Sequence, residues 1–141
     1  MPLSNRTIVA IDDTHSILSF LRISLETLGV HFYGAMTASG GLSLCETHRP
    51  DLVVLDLGLP DKEGFDILPR LRTLNKDKNV PVIVLTVRNS QADRDKAAAL
   101  GAAAYITKPF EMNTLLEVIC QQLGLEPKTY HMVEPPQKVL H

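Results

Sequence analysis

Leu52-Val53-Val54-Leu55-Asp56 decides how the chain is read: a short unbroken apolar run closed by a carboxylate, then Leu57-Gly58-Leu59-Pro60-Asp61-Lys62-Glu63-Gly64. A run this short without polar alternation predicts a strand covered on both faces, the usual state of a central strand in a parallel sheet. Outward from it the pattern repeats. Thr7–Ile11 precedes Asp12-Asp13, Val82–Thr86 ends on a hydroxyl, and Ala103–Ile106 precedes Lys108-Pro109. Val30–Gly34 mixes polar and aromatic residues, which suits an edge. Five predicted strands follow: Thr7–Ile11, Val30–Gly34, Leu52–Asp56, Val82–Thr86 and Ala103–Ile106.

Longer amphipathic segments separate them, so the pattern is that of βα units around a parallel sheet. Ile17, Leu18, Leu21, Leu25 and Leu28 recur at helical spacing, with Gly29 as the stop. Further helices are predicted over Ser39–Thr47, Phe65–Leu74, Gln91–Leu100 and Asn113–Leu123, with Gly101 and Gly124 ending the last two. Pro69 is out of place, because a proline beyond the first turn removes a backbone donor and clashes with the turn before it. The third helix is expected to kink or to start late. After Gly124 the prolines 127, 135 and 136 stand among scattered polar residues. Residues 1–124 therefore read as one domain and 125–141 as a tail or linker remnant.

A length of 141 residues suits one domain and leaves no room for a second catalytic one. Hydrophobic residues at 45% and charged residues at 21% are globular values, so a core is expected. A formal charge of −2 gives no basic footprint, so direct nucleic-acid binding by this chain is not expected. Cys45 and Cys120 match neither a CxxC nor a metal-ligand spacing and read as buried thiols in a reducing compartment. The polar start and the lack of any long apolar stretch predict a cytoplasmic protein without a membrane span.

If the strands are parallel, Asp12, Asp13, Asp56, Thr86 and Lys108 all fall at carboxyl ends on one edge of the sheet, where open α/β sheets place their sites. Three carboxylates gathered there repel: at about 4 Å each pair costs on the order of 4 kcal/mol at an effective dielectric near 20. Such a cluster calls for a cation, and Mg2+ suits it, since it takes a few carboxylates and leaves coordination for phosphate oxygens. Alone, Asp12-Asp13 reads as a helix N-cap pair; Asp56 at an equivalent strand end turns the reading toward a site. Asp56 is then a nucleophile able to take a phosphoryl group as an acyl phosphate. Lys108 neutralises phosphoryl oxygens, and Thr86 offers them a hydroxyl. Lys108 could equally be a solvated surface lysine and Thr86 a plain β-branched strand residue. Pro109 weighs against the first, because an X-Pro bond can be cis and aim the lysine inward.

The set Asp12-Asp13, Asp56 within Asp-Leu-Gly-Leu-Pro-Asp-Lys-Glu-Gly, Thr86 and Lys108-Pro109-Phe110 resembles the receiver domain of bacterial two-component response regulators over about residues 6–124. The resemblance implies a doubly wound, flavodoxin-like (βα)5 fold with strand order 2-1-3-4-5. It implies a phosphoryl group accepted on Asp56 from a sensor histidine kinase or phosphotransfer protein. Mg2+ would be held by Asp13, Asp56 and the backbone carbonyl of Gly58, with Asp12 assisting through bound water. Tyr105 matches the aromatic that turns inward as Thr86 moves, though it also reads as an ordinary strand aromatic. The helix four, strand five and helix five face, about residues 91–123, would then act on an output partner or fused effector domain, with room for a phosphorylation-dependent homodimer.

Departures from the pattern carry expectations too. Val87 stands where the family usually has a small residue, and it is expected to hinder attacking water. Gly58 offers no side chain to position that water, and Arg88 lies where phosphate lifetime is tuned. Slow self-dephosphorylation follows. The Asp-Leu-Gly-Leu-Pro-Asp run also resembles receivers that precede winged-helix DNA-binding domains, which pair through an acidic pair before the switch aromatic and basic residues on the last helix. Here Ala103-Ala104 and Glu117 stand instead, which sets the chain apart from that group. Two rival classes remain. An aspartyl phosphohydrolase commonly carries Asp-x-Asp after strand one, where this chain has Asp12-Asp13-Thr14, and needs a substrate cap that 141 residues hardly supply; a flavodoxin-like cofactor binder needs a phosphate-cradling loop, whereas Asp12-Asp13 would repel phosphate without metal. The expected role is a stoichiometric switch and not an enzyme with multiple turnover.

Overall fold

The computed structural model describes residues 3–74 and 79–125. Among them strands and helices alternate: β1 (Thr7–Ile11), α1 (His15–Glu26), β2 (His31–Ala35), α2 (Ala38–His48), β3 (Leu52–Leu55), α3 (Gly64–Arg72), β4 (Val82–Thr86), α4 (Gln91–Ala99), β5 (Ala104–Thr107) and α5 (Met112–Gln122). The strands form one parallel sheet in the order β2-β1-β3-β4-β5, as the resemblance implied. Apart from Leu125, the tail expected over 125–141 lies outside the described residues.

Strand alternation sends each central strand to two cores. Ile8, Ala10, Leu52, Val54, Ile83 and Leu85 pack under α1 and α5; Val9, Ile11, Val53, Leu55, Val82 and Val84 pack under α2, α3 and α4. Burial on both faces is why β3 and β4 carry no polar alternation, and each fully buried branched side chain contributes about 1.5–3 kcal/mol. Leu18, Leu21, Leu25 and Leu28 form the inward stripe of α1 and its exit, as their spacing required. Gly29, Gly101 and Gly124 have φ of 86°, 97° and 72°, the left-handed stop that glycine adopts without a Cβ penalty.

The structure moves several boundaries. The second strand starts at His31, because the Val30 N–H is still bonded to Leu25 O of α1 and the ladder to β1 opens with His31 N–H on Arg6 O at 2.8 Å. The fifth runs one residue later than expected, since Thr107 pairs with Thr86. α3 does not start late: it begins at Gly64 with Pro69 inside it. An interior proline costs about 3 kcal/mol. Burial of Phe65, Ile67, Leu68 and Leu71 on that short helix outweighs the cost.

Cys45 and Cys120 are buried and free. Burial, with Glu46 beside it, pushes the Cys45 thiol up to about 12, and burial raises Cys120 as well, so neither is a nucleophile at neutral pH. No helix among the described residues is long and apolar enough to cross a membrane.

Candidate functional site

Register builds the site. Ile11 pairs with Leu55 and Thr86 with Thr107, so Asp12, Asp56 and Lys108, each the next residue in its strand, leave the same edge of the sheet together. The backbone holds them there. Asp12 N–H donates to Ala35 O at 3.0 Å, Asp56 N–H to Ile11 O at 2.9 Å and Lys108 N–H to Thr86 O at 2.8 Å. The Lys108-Pro109 bond is cis.

Lys108 Nζ lies 2.6 Å from Asp12 Oδ2 and 3.1 Å from Asp56 Oδ2, with 11% of its side chain exposed, which rules out the solvated-lysine reading. The remaining oxygens are also held: Thr14 N–H donates to Asp12 Oδ1 at 2.8 Å and Gly58 N–H to Asp56 Oδ1 at 3.3 Å. Asp12 and Asp56 are 3% and 7% exposed, whereas Asp13 faces solvent. One carboxylate oxygen from each of the three lies within 4.8 Å of the others. Three carboxylates against one ammonium leave a net negative pocket of hard oxygens, and that donor set fits a divalent cation such as Mg2+. Burial pushes the Asp12 carboxyl above its ordinary range against the pull of Lys108 and the Thr14 amide. Burial also works against the Lys108 charge, but the Asp12 hydrogen bond and the two carboxylate charges outweigh it and hold the ammonium above its usual value. The ammonium therefore stays charged and offsets one of the pocket's three negative charges.

The other singled-out residues ring this centre. Thr86 is 1% exposed at the end of β4, and its Oγ1 accepts a long 3.4 Å contact from Arg88 N–H. Val87 is 71% exposed. Tyr105 Oη donates to Arg88 O at 2.9 Å, and the Arg94 guanidinium lies 4.8 Å from the Tyr105 ring. A Cβ on Gly58 would meet nothing within 4 Å, so the space beside Asp56 is open on that side. At Gly64 a Cβ would come within 2.5 Å of Asp56 O and 2.8 Å of Leu57 Cα. That glycine lets α3 press against the backbone of the central carboxylate.

Two residues of the Asp-Leu-Gly-Leu-Pro-Asp-Lys-Glu-Gly run have roles the sequence did not announce. Asp61 accepts Ala38 N–H at 2.8 Å and Ser39 N–H at 3.0 Å, capping α2 from a distant loop. Glu63 binds the Arg88 side chain with both oxygens, at 2.7 and 3.0 Å. Only the preference of Asp for helix N-termini hinted at the first. Nothing local hinted at the second.

The response regulator receiver domain family matches residues 8–120. The transcriptional regulatory protein KdpE of Mycobacterium tuberculosis is 43% identical over 109 residues, 77% of this chain and 47% of the relative. The KDP operon transcriptional regulatory protein KdpE of Escherichia coli K12 is 39% identical over 108 residues, again 77% and 47%. The chain thus spans about half the length of these curated relatives. Among solved structures, a CheY-like response regulator receiver domain protein from Methanospirillum hungatei JF-1 aligns with TM-score 0.79 at 31% identity, covering 91% of this chain and 100% of the other. Similarity thus runs to proteins named as transcriptional regulators although Ala103-Ala104 and Glu117 replace the charged pairs, so those replacements do not set the chain apart from them. With the sheet order, the acidic pocket and the match over residues 8–120 in agreement, the chain belongs to the response regulator receiver domain family.

Proposed function

We propose that residues 1–124 form a switch operated by phosphorylation of Asp56, in a two-component pathway where a sensor histidine kinase or phosphotransfer protein is the donor. One observation carries this: the Lys108 ammonium bridges Asp12 and Asp56 inside a three-carboxylate pocket. An Asp56 carboxylate oxygen attacks the phosphorus of a phosphohistidine. The new P–O bond forms as the P–N bond breaks, and the electron pair leaves with the histidine nitrogen. Asp12, Asp13, Asp56 and the Gly58 carbonyl would hold Mg2+, which when bound supplies positive charge for the phosphoryl oxygens. Lys108, already 3.1 Å from Asp56 Oδ2, provides the chain's own cation. Thr86, buried at the neighbouring strand end, offers a hydroxyl donor to a phosphoryl oxygen.

Phosphorylation exchanges a carboxylate for a group with more charge and more acceptor oxygens, and it draws Thr86 and Lys108 toward it. Tyr105 follows, because its hydroxyl is bonded to the same β4–α4 loop. The face of α4, β5 and α5 then changes shape for an output partner or a fused effector domain, and the length of the relatives favours a fused one that acts in transcription. The chain turns over only itself. Water attacks the phosphorus, the P–O bond to Asp56 breaks, and inorganic phosphate leaves. Val87, Gly58 and Arg88 set how slowly this happens. The test is incubation with acetyl phosphate and Mg2+ followed by intact mass. A gain of one phosphoryl group in the wild type and none in Asp56→Asn is expected, and equal labelling of the two would sink the assignment.

A further inference from the structure

The first N–H groups of a helix need acceptors, and a helix commonly finds one in its own N-cap side chain. In α2 the work is divided. Thr37, the N-cap, takes Gly40 N–H on its hydroxyl at 3.0 Å. Ala38 and Ser39 donate instead to the two carboxylate oxygens of Asp61, at 2.8 and 3.0 Å, across 23 and 22 residues of sequence. The two amides keep that carboxyl ionised at neutral pH, so both bonds are made to a charged acceptor and are the stronger kind.

What Asp61 ties down bears on the acidic pocket. It belongs to the stretch Leu59-Pro60-Asp61-Lys62 that runs between the bridged residues Gly58 and Glu63. Pro60, Asp61 and Lys62 are exposed, and Gly58 has no side chain to fix the direction of its own carbonyl. On the α2 side, Ala38 follows Ala35 by three residues, and the Ala35 carbonyl accepts Asp12 N–H at 3.0 Å. Asp61 therefore closes a circuit of bonds and backbone that runs from Asp12 through Ala35 and the start of α2 to Gly58 and Asp56. Asp12 and Asp13 leave one end of that circuit, and Asp56 and the Gly58 carbonyl leave the other.

We propose that Asp61 is a positioning residue for the divalent cation: by clasping the start of α2 it fixes the loop that bears the Gly58 carbonyl relative to Asp12 and Asp13. The proposal rests on the reading that these groups and Asp56 hold Mg2+. That ion demands near-ideal octahedral geometry, so a small displacement of one oxygen donor weakens its binding. Groups that hold ligands in place, without touching the metal, therefore carry much of a site's affinity. Asp61 is such a group and not a ligand itself, since both of its oxygens are taken by α2 amides. A cap on α2 made by Thr37 alone would leave the two loops free to move apart; a cap borrowed from the Gly58 loop joins them.

The test is calorimetric titration of the full chain with Mg2+, beside thermal unfolding without metal. Asp61→Ala should bind Mg2+ about three- to tenfold more weakly, less than the roughly 10–100-fold effect of groups bonded directly to a ligand. Thr37→Ala is the control, because it removes the other side-chain cap of α2 and leaves the Gly58 loop alone. It should melt lower than wild type and keep wild-type Mg2+ affinity. Asp61→Asn retains one acceptor oxygen, so its affinity should fall between wild type and Asp61→Ala, and its loss carries the test if Asp61→Ala does not fold. Unchanged Mg2+ affinity in the Asp61 variants overturns the clasp alone. So does an equal loss in Thr37→Ala, which would mean that any fraying of α2 suffices, and so does an equal loss in Asp61→Asn and Asp61→Ala, which would assign the effect to charge. A wild type that takes up no Mg2+, or one whose Mg2+ affinity survives Asp13→Ala, overturns the metal reading and the clasp with it.

Discussion

Gly64 shows how much of a site can rest on a missing methyl group. A Cβ there would press on Asp56 O and Leu57 Cα, backbone atoms that cannot swing aside as a side-chain tip can. Gly64→Ala should therefore cost about 1–3 kcal/mol in denaturant unfolding and slow phosphorylation, whereas Gly58→Ala, with nothing within 4 Å of its Cβ, should stay within about 0.5 kcal/mol of wild type. Equal losses at the two would contradict the close approach of α3 to the Asp56 backbone. Val87 tests access instead of packing. Its branched side chain is 71% exposed next to Thr86, and Val87→Ala keeps every charge and ligand. If the branch costs attacking water about 1.4 kcal/mol, the variant should lose phosphate roughly tenfold faster after donor removal; an unchanged decay would move the cause to Gly58 and Arg88. Residues that close strands were legible because a polar group ending an apolar run has few other reasons to be there. Asp61 and Glu63 were not, since their partners lie 22 to 25 residues away and only the fold brings them together.

Among the elements, the central strands announced themselves and the edges did not. β1 and β4 fall where the sequence put them because apolar runs buried on both faces have sharp ends. β2 and β5 shift by a residue, since a half-exposed strand is bounded by hydrogen bonds to its neighbours and not by composition. The C-terminus of α2 is closed by Arg49 at φ 47°, a left-handed position held by a residue that gives no such signal. Its N-terminus gives a pH test. The Ala38 and Ser39 N–H groups hold the Asp61 carboxyl below its ordinary 3.8. A depressed carboxyl stabilises the fold in its charged form, so its contribution is complete above the ordinary value and is lost as pH falls through the depressed one. Asp61→Asn should melt below wild type at neutral pH, and the gap should close as acid takes the pH below about 3.8. A gap of constant size down the whole range would show that the charge on Asp61 does not matter.

At the scale of the molecule, two apolar layers on one parallel sheet fix strand register, and register alone gathers five chemically chosen side chains at one edge. The acidic pocket is a liability that metal should relieve. Mg2+ is expected to raise the melting temperature in proportion to the logarithm of its excess over its dissociation constant. Asp13→Ala, which removes an exposed carboxylate of the proposed ligand set and one repelling charge, should lose most of that shift without loss of metal-free stability. An identical Mg2+ shift in the variant would remove Asp13 from the ligand set. The central claim is that the phosphoryl group rests on the Asp56 carboxylate. Borohydride reduces an aspartyl phosphate to homoserine, so protein treated with acetyl phosphate and Mg2+, then reduced and digested, can be read by peptide mass. Homoserine at position 56 and at no other aspartate is the expected result; homoserine at Asp12 or Asp13, or an unmodified peptide around Asp56 in protein that has gained a phosphoryl group, would contradict it.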